Sequence, residues 1–299
     1  MTEPVLPFTG ERFTPECVRE IAYEHWHRYA WASTLVKDKV VLDGACGEGY
    51  GSALLAQSAA SVIGVDVDAN TIAHARQRYA RDGLRFECSD CLQLPLADDS
   101  VDVVVSFETL EHLSDHDGLL REFRRVLKPD GLLVLSSPDR QQYSEAKGYD
   151  NPFHAKELNR DEFEALLNRH FAHWQLLAQT LGFVSMLWPL DQAAHSGLQH
   201  HGVQTLQRQD QGQIRSAEHP QVTAQYFLAV ASAEAAAIPA LSTLSLFDDQ
   251  AGSIYQHYND EVGQHIRAGQ LLAEREAELA ALKAKLSQPW WQRQRWWPW

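Results

Sequence analysis

Three acidic residues end short apolar runs and are each followed by a turn: Asp43 in VVLDGACGEGYG, Asp66 in SVIGVD, and Asp90 in the Ser89-Asp90-Cys91 that follows LRFEC. Gly44, Gly47, Gly49 and Gly51 punctuate the first turn. A strand that enters a tight glycine turn and then a helix lets backbone approach a ligand at the helix N-terminus. The spacing is not the dinucleotide fingerprint GxGxxG, because the third glycine counted from Gly47 would fall at Ser52. A carboxylate at Asp43 would also repel a pyrophosphate, whereas it could accept hydrogen bonds from an ammonium group. Asp66 is placed to accept two ribose hydroxyls, as acids after the second strand do in nucleotide-binding α/β folds. Asp90 could accept from an adenine amino group. An ammonium site, a ribose site and an adenine site thus follow at successive strand ends, where open α/β sheets bind ligands.

These residues must be held by alternating strands and helices. KVVLDG (39–44), SVIGVD (61–66), LRFEC (84–88), VDVVVSF (101–107) and GLLVLSS (131–137) read as strands, with helices over 69–81 and 117–128. Near-continuous apolar strands alternating with helices predict a doubly wound α/β fold with a mostly parallel sheet covered on both faces. Before them, 15–36 shows helical spacing behind Thr14-Pro15, a plausible cap. After them, 171–185 and 224–232 read as two more strands, with a polar, His-containing loop or lid at 191–221. Leu272, Leu279 and Leu286 repeat every seven residues in a helix predicted over 259–286, with Leu282 adding the three/four spacing. The expected division is a helical cap over 1–36, a ligand-binding domain over 37–233, and a helical or short coiled-coil extension over 234–299.

Read in order, DGACGEGYG, GVD, SDCLQLPL, SFETLEHL and RVLKPDGLLVLSSP resemble the class I S-adenosylmethionine-dependent methyltransferases over residues 40–138. The resemblance implies a seven-stranded Rossmann-like sheet whose last strand is antiparallel, a place that AQYFLAVAS fits. It implies that Asp43, Gly44, Gly47 and Gly49 hold the methionine end, Asp66 the ribose, and Asp90 beside Cys91 the adenine. Glu108, after the fourth strand, faces the cleft by position, and Arg28 could pair with the cofactor carboxylate.

Methyl transfer is an in-line displacement at a carbon already activated by a sulfonium, so alignment can supply about 7–11 kcal/mol of the barrier. A neutral hydroxyl acceptor also needs a base. His112 in SFETLEHL and His154 in DNPFHAKEL are the catalytic candidates, with helix-start or packing roles as their plain alternatives. His25, His27, Arg28 and Tyr29 form a third group on the first helix. GERFTPE, EHWHRYAWA and NPFHAKEL resemble a subgroup associated with bacterial surface polysaccharide assembly, which implies a sugar or glycan acceptor. A quinone or polyketide-like small molecule, or a non-catalytic cofactor-binding scaffold, are the other readings.

The charge balance is acidic, with 40 Asp and Glu against 26 Lys and Arg and a formal charge of −14, which argues against sequence-independent nucleic-acid binding. The four cysteines make no disulfide framework, and the Cys88-x-x-Cys91 spacing lacks a second pair to complete a zinc site, so buried reduced thiols are expected. His200-His201 is a lone pair, and no metal is expected. The N-terminal residues lack signal-peptide character, and a cytoplasmic protein is expected, at the inner membrane face if the terminal PWWQRQRWWPW makes a peripheral contact. The extension could pair with a second copy or with a glycosyltransferase.

Overall fold

The computed structural model describes residues 6, 12–148, 150–182, 205–208, 214–217, 223–242, 244–249 and 251–287. The chain divides into two compact units, Met1–Phe247 and Asp248–Trp299. In the first, helices α1 (Glu20–Ser33), α2 (Tyr50–Leu55), α3 (Ala69–Arg78), α4 (His116–Val126), α5 (Arg140–Tyr143) and α6 (Arg160–His170) surround the strands. Those are β1 (Val40–Gly44), β2 (Ser61–Asp66), β3 (Leu84–Cys88), β4 (Val101–Ser106), β5 (Leu127–Pro138), β6 (His173–Gln179), β7 (Thr205–Arg208), β8 (Ile214–Ala217) and β9 (Tyr226–Ser232). The second unit carries α7 (Ser253–Ser287).

Seven strands form one sheet in the order β3-β2-β1-β4-β5-β9-β6. The β1–β2, β2–β3, β1–β4 and β4–β5 pairs are parallel, and β9 runs antiparallel to both β5 and β6. This is the Rossmann-like methyltransferase sheet that the resemblance implied, with its final strand reversed. Strand order turns back between β1 and β4, so a crevice opens at their carboxyl ends.

Alternating residues send their side chains to opposite faces. Val41, Val103 and Val105 pack with Tyr29 and Ala32 of α1 and Tyr50 and Leu55 of α2. Leu42 and Val104 pack on the other face with Leu119, Leu120 and Phe123 of α4 and Phe163 and Leu167 of α6. Helix α4 is anchored by its Asp115 cap, and α6 by a capping box between Asn159 and Glu162.

Several expected boundaries move. The first helix begins at Glu20 rather than near Pro15, because Thr14–Cys17 closes a turn and Arg19 takes a left-handed conformation (φ 69°) that the helix cannot include. Pro129-Asp130-Gly131 does not end an element: β5 runs through it from Leu127, and a register shift against β4 between Val101 and Val103 absorbs the irregularity. The sixth strand stops at Gln179, and 183–185 lie outside the described residues. Of the expected lid, β7 and β8 form an antiparallel hairpin, and the rest, with His200-His201, lies outside them too. The first unit also extends past the expected boundary at 234. Phe247 sits edge-on to Tyr23 and stacks on His27, whose Nε2 lies 2.9 Å from Ser245 Oγ, so the segment after β9 folds back on α1.

Helix α7 is continuous from Ser253, six residues before the predicted start, and Leu272, Leu279, Leu282 and Leu286 are exposed on it. The tryptophan-rich end expected to touch a membrane lies outside the described residues. Among those residues no helix is long and apolar enough to cross a membrane.

Candidate active site

The loop after β1 is built on backbone conformations that ordinary residues avoid. Ala45, Gly47 and Gly49 all have positive φ, at 59°, 54° and 97°. At Gly47 a side chain would meet only Arg12 at 3.9 Å, so its requirement is conformational. Gly44 and Gly51 serve close packing instead: an added Cβ would lie 2.9 Å from the Phe123 ring at Gly44 and 2.1 Å from the Tyr29 ring at Gly51.

Asp66, at the end of β2, fastens this loop. One carboxylate oxygen accepts from Gly47 N at 3.0 Å and the other from Asp68 N at 2.9 Å. Asp68 itself caps α3, as an acid before a helix should. Asp66 is nearly buried, and each of its oxygens retains a second lone pair for a ribose hydroxyl. We expect Asp66→Ala to lose at least about 100-fold in cofactor affinity, since two charge-assisted bonds of about 1.5–3 kcal/mol each disappear. Calorimetry with S-adenosylhomocysteine checks this, and unchanged affinity takes Asp66 out of the site.

Asp90 is exposed, with one oxygen accepting from Leu92 N at 2.9 Å, so its carboxylate lies open at the rim after β3. Cys91 is buried against the β1 loop, and burial pushes its thiol up to about 12, so it stays protonated and acts by packing. Cys46 is buried as well, whereas Cys88 is exposed, which corrects the expectation that both thiols of the CxxC are buried.

Asp43 occupies a different place from an open ammonium contact. It is completely buried, and its two oxygens accept from Tyr29 Oη at 3.0 Å and Ser52 Oγ at 2.6 Å, tying β1 to α1 and α2. Tyr29, from the third candidate group on the first helix, is a buttress behind the glycine loop. His25 is likewise internal, with Nδ1 3.2 Å from Tyr50 Oη and its ring stacked on Phe13.

Arg28 is the largest fully buried side chain among the described residues. Its Nη1 donates to Gln179 Oε1 at 2.8 Å and lies 3.7 Å from Glu108 Oε1, and the guanidinium sits 4.9 Å above the Tyr226 ring. Tyr226 in turn donates to Glu24 at 3.0 Å. Among the described residues, Arg28 Nε and Nη2 have no hydrogen-bond partner. Orphaned donors on a buried guanidinium are costly unless a ligand completes them, and an α-carboxylate is the anion that fits a planar fork. Glu108, directly after β4, is held at φ 52°, with its backbone N–H donating to Ser136 Oγ and its carboxylate accepting from the same hydroxyl. Strain of this kind collects at functional loops.

Beyond Glu108 the chain makes a short 3-10 turn, Leu110–His112, which brings together residues that no sequence spacing linked. The Glu111 carbonyl accepts from Ala155 N at 2.7 Å and Lys156 N at 3.0 Å, which docks the loop after α5 onto this turn. His112 and His154 then meet edge to face, ring centres 5.2 Å apart. His112 Nδ1 lies 3.1 Å from Phe153 O, and His154 Nδ1 lies 2.6 Å from Glu157 Oε1. Tyr143 stacks on His154 and reaches Tyr226, so the histidines join the Arg28 network through aromatic contacts. A cleft of about 390 Å³ opens beside His154, with Arg140, Ser144, Glu145, Lys156 and Glu157 among its lining residues. A depression of about 420 Å³ near His173 and Trp174 lies at the amino end of β6, away from the carboxyl ends of the parallel strands.

Residues 42–135 match the family described as a methyltransferase domain. The chain is similar to a probable S-adenosylmethionine-dependent methyltransferase of Mycolicibacterium smegmatis, 42% identical over 168 residues, covering 54% of this chain and 63% of that protein. A probable S-adenosylmethionine-dependent methyltransferase of Mycobacterium tuberculosis is 42% identical over 166 residues, covering 54% and 60%. The methyltransferase GfsG of Streptomyces halstedii is 34% identical over 136 residues, covering 44% and 45%. The chain thus spans about three fifths of the length of the first two relatives. Residues 42–135 thus match a methyltransferase-domain family, and the two mycobacterial relatives are named as probable S-adenosylmethionine-dependent methyltransferases.

Proposed function

We propose that the chain transfers the methyl group of S-adenosylmethionine to a hydroxyl of a polar, polyhydroxylated acceptor, a sugar or glycan of cell-surface polysaccharide synthesis. The observation that carries this reading is the edge-to-face meeting of His112 and His154, with His154 on a cleft that Arg140, Glu145, Lys156 and Glu157 also line. Arg140, Glu145, Lys156 and Glu157 on that cleft suit hydrogen-bonding to the hydroxyls of such an acceptor. Exposed leucines at heptad spacing on α7 support a docking role for that helix in an assembly complex.

The cofactor supplies an electrophilic methyl on a positive sulfur. The chain's part is to bind, orient and dispose of a proton. Asp66 and the glycine loop fix the nucleoside, Arg28 the carboxylate, and Glu108 lies between these and the histidines. The acceptor oxygen forms the new bond to carbon as the sulfur–carbon bond breaks, and its proton leaves on the His112/His154 side.

The test is methyl uptake from labelled S-adenosylmethionine into sugar nucleotides and lipid-linked glycans, with quinones as the comparison. We expect His112→Ala and His154→Ala to slow turnover by about 10²–10⁴-fold while S-adenosylhomocysteine binds as in the parent. Methylation of quinones alone, or full activity in both variants, overturns the reading.

A further inference from the structure

We propose that Glu111, His112 and His154 form a binding site for a divalent transition-metal ion whose open positions take the acceptor's hydroxyl oxygens. The inference rests on the hydroxyl-transfer reading above and deepens it by naming how the hydroxyl is held and acidified. One ligand atom from each of the three residues lies within 4.8 Å of the others. His112 Nε2 is 4.0 Å from Glu111 Oε1. Ligands of a tetrahedral metal with bonds of about 2.0–2.2 Å are about 3.4 Å apart, so side-chain rotations that draw the three groups together close the site.

The outer hydrogen bonds favour ligation. Histidines that hold metals are fixed by their second nitrogen on a carboxylate or a backbone carbonyl. Both forms are present: His154 Nδ1 on Glu157 Oε1, His112 Nδ1 on Phe153 O. A carbonyl and a carboxylate only accept, so each Nδ1 carries the proton and each Nε2 the lone pair. The Asn151 amide confirms the polarity at His154, since Nδ2 donates to Nε2 at 2.9 Å, while Asn151 Oδ1 is taken by Phe153 N. A metal would replace that amide donor at Nε2. Glu157 is itself fixed, accepting from Ser144 Oγ at 2.7 Å, so the His154 ring is held on both sides.

Two imidazoles and one carboxylate suit Zn²⁺, Mn²⁺, Fe²⁺ or Co²⁺, and three protein ligands leave positions for substrate. Glu111 is buried, while about a third of the His112 side chain is exposed, so the open side of the site faces solvent beside the cleft that His154 lines. A bound hydroxyl would lose its proton to water more readily, as metal-bound water does. The resulting alkoxide oxygen forms the bond to the methyl carbon, the sulfur keeps the electron pair, and the ion stays in place.

The experiment is titration of chelator-treated, tag-free full-length protein with Zn²⁺, Mn²⁺ and Co²⁺ separately, read by calorimetry and by the visible spectrum of the Co²⁺ form. One equivalent should bind in the parent, and 10–100-fold more weakly in His112→Ala, His154→Ala and Glu157→Gln. S-adenosylhomocysteine affinity should be equal in all four proteins, which shows that the variants are folded. Absence of metal binding in the parent, or equal binding in the variants, overturns the site. Methyl uptake by a glycan that persists under excess chelator also overturns it, and leaves hydroxyl transfer standing with the histidines as bases. One-equivalent binding lost in the variants, with no hydroxylated acceptor methylated, supports the site and removes the hydroxyl reading.

Discussion

Arg28→Met should cost both cofactor affinity and stability. Methionine fills nearly the same volume with an unbranched apolar chain, so packing is largely kept while the cation and the planar donors are removed. The affinity term comes from losing a buried, charge-assisted contact to the cofactor carboxylate. Truncating one partner of such a pair costs about 2–5 kcal/mol, or 30- to several-thousand-fold. The stability term arises without any ligand, because Glu24 and Glu108 lose the buried cation they share, and Glu24 keeps only the weaker pull of Lys147. Burial already raises the Glu24 carboxyl, and the Arg28 charge is the first influence that holds it down. Without it, Glu24 either takes a proton or stays ionised at a cost of about 3–5 kcal/mol. Arg28→Lys separates the two terms: the charge remains, so stability should largely recover, but an ammonium cannot form the paired bonds and affinity should not. Calorimetry with S-adenosylhomocysteine and thermal melts of the ligand-free protein read them independently. A methionine variant that binds normally would leave Arg28 a purely structural cation.

That double role explains what was legible in the sequence. The shape of the glycine turn could be read because it is local: Asp66 touches Gly47 and Asp68 through its own loop, whereas the burial of Asp43 under Tyr29 and Ser52 could not. The parallel sheet was legible for the same reason, since strands buried on both faces are apolar throughout. Arg28 was placed by analogy, but its partners Gln179 and Tyr226 come from strands far along the chain, and only the order β5-β9-β6 brings them over α1. The Glu111, His112 and His154 cluster was hidden more completely. Metal-ligand spacing is a signal only when one helix or one turn supplies the ligands, and here a 3-10 turn after β4 meets a loop after α5. Helix starts failed where a backbone conformation decided them, as at Arg19, because a positive φ at a non-glycine residue has no sequence signature.

The glycine loop's support is the source of the second large effect. Burial raises the Asp43 carboxyl from its ordinary 3.8 to about 7, with hydrogen bonds from Ser52 and Tyr29 pulling the other way. Between those two values the folded protein holds a proton that the unfolded chain has released. Stability contributed by this group is therefore greatest below the unfolded value, falls as pH rises toward 7, and is flat above it. At about 1.4 kcal/mol for each unit, roughly 4 kcal/mol is lost by pH 8. Asp43→Asn removes the titration, and both hydroxyl partners can rotate to donate or accept, so the amide finds the same bonds. The variant should melt higher than the parent at pH 8, by up to roughly 10 °C for a unit of this size, and the difference should shrink toward pH 5. Its cofactor binding should move the opposite way. S-adenosylmethionine brings an ammonium and a sulfonium, so its affinity for the parent should rise as Asp43 ionises, whereas the variant should bind more weakly and without that pH dependence. A protein that becomes more stable and less able to bind would show that the carboxylate is kept at a cost in stability for its charge. If parent and variant share the same slope of stability against pH, the titrating group lies elsewhere and Asp43 acts through its hydrogen bonds alone.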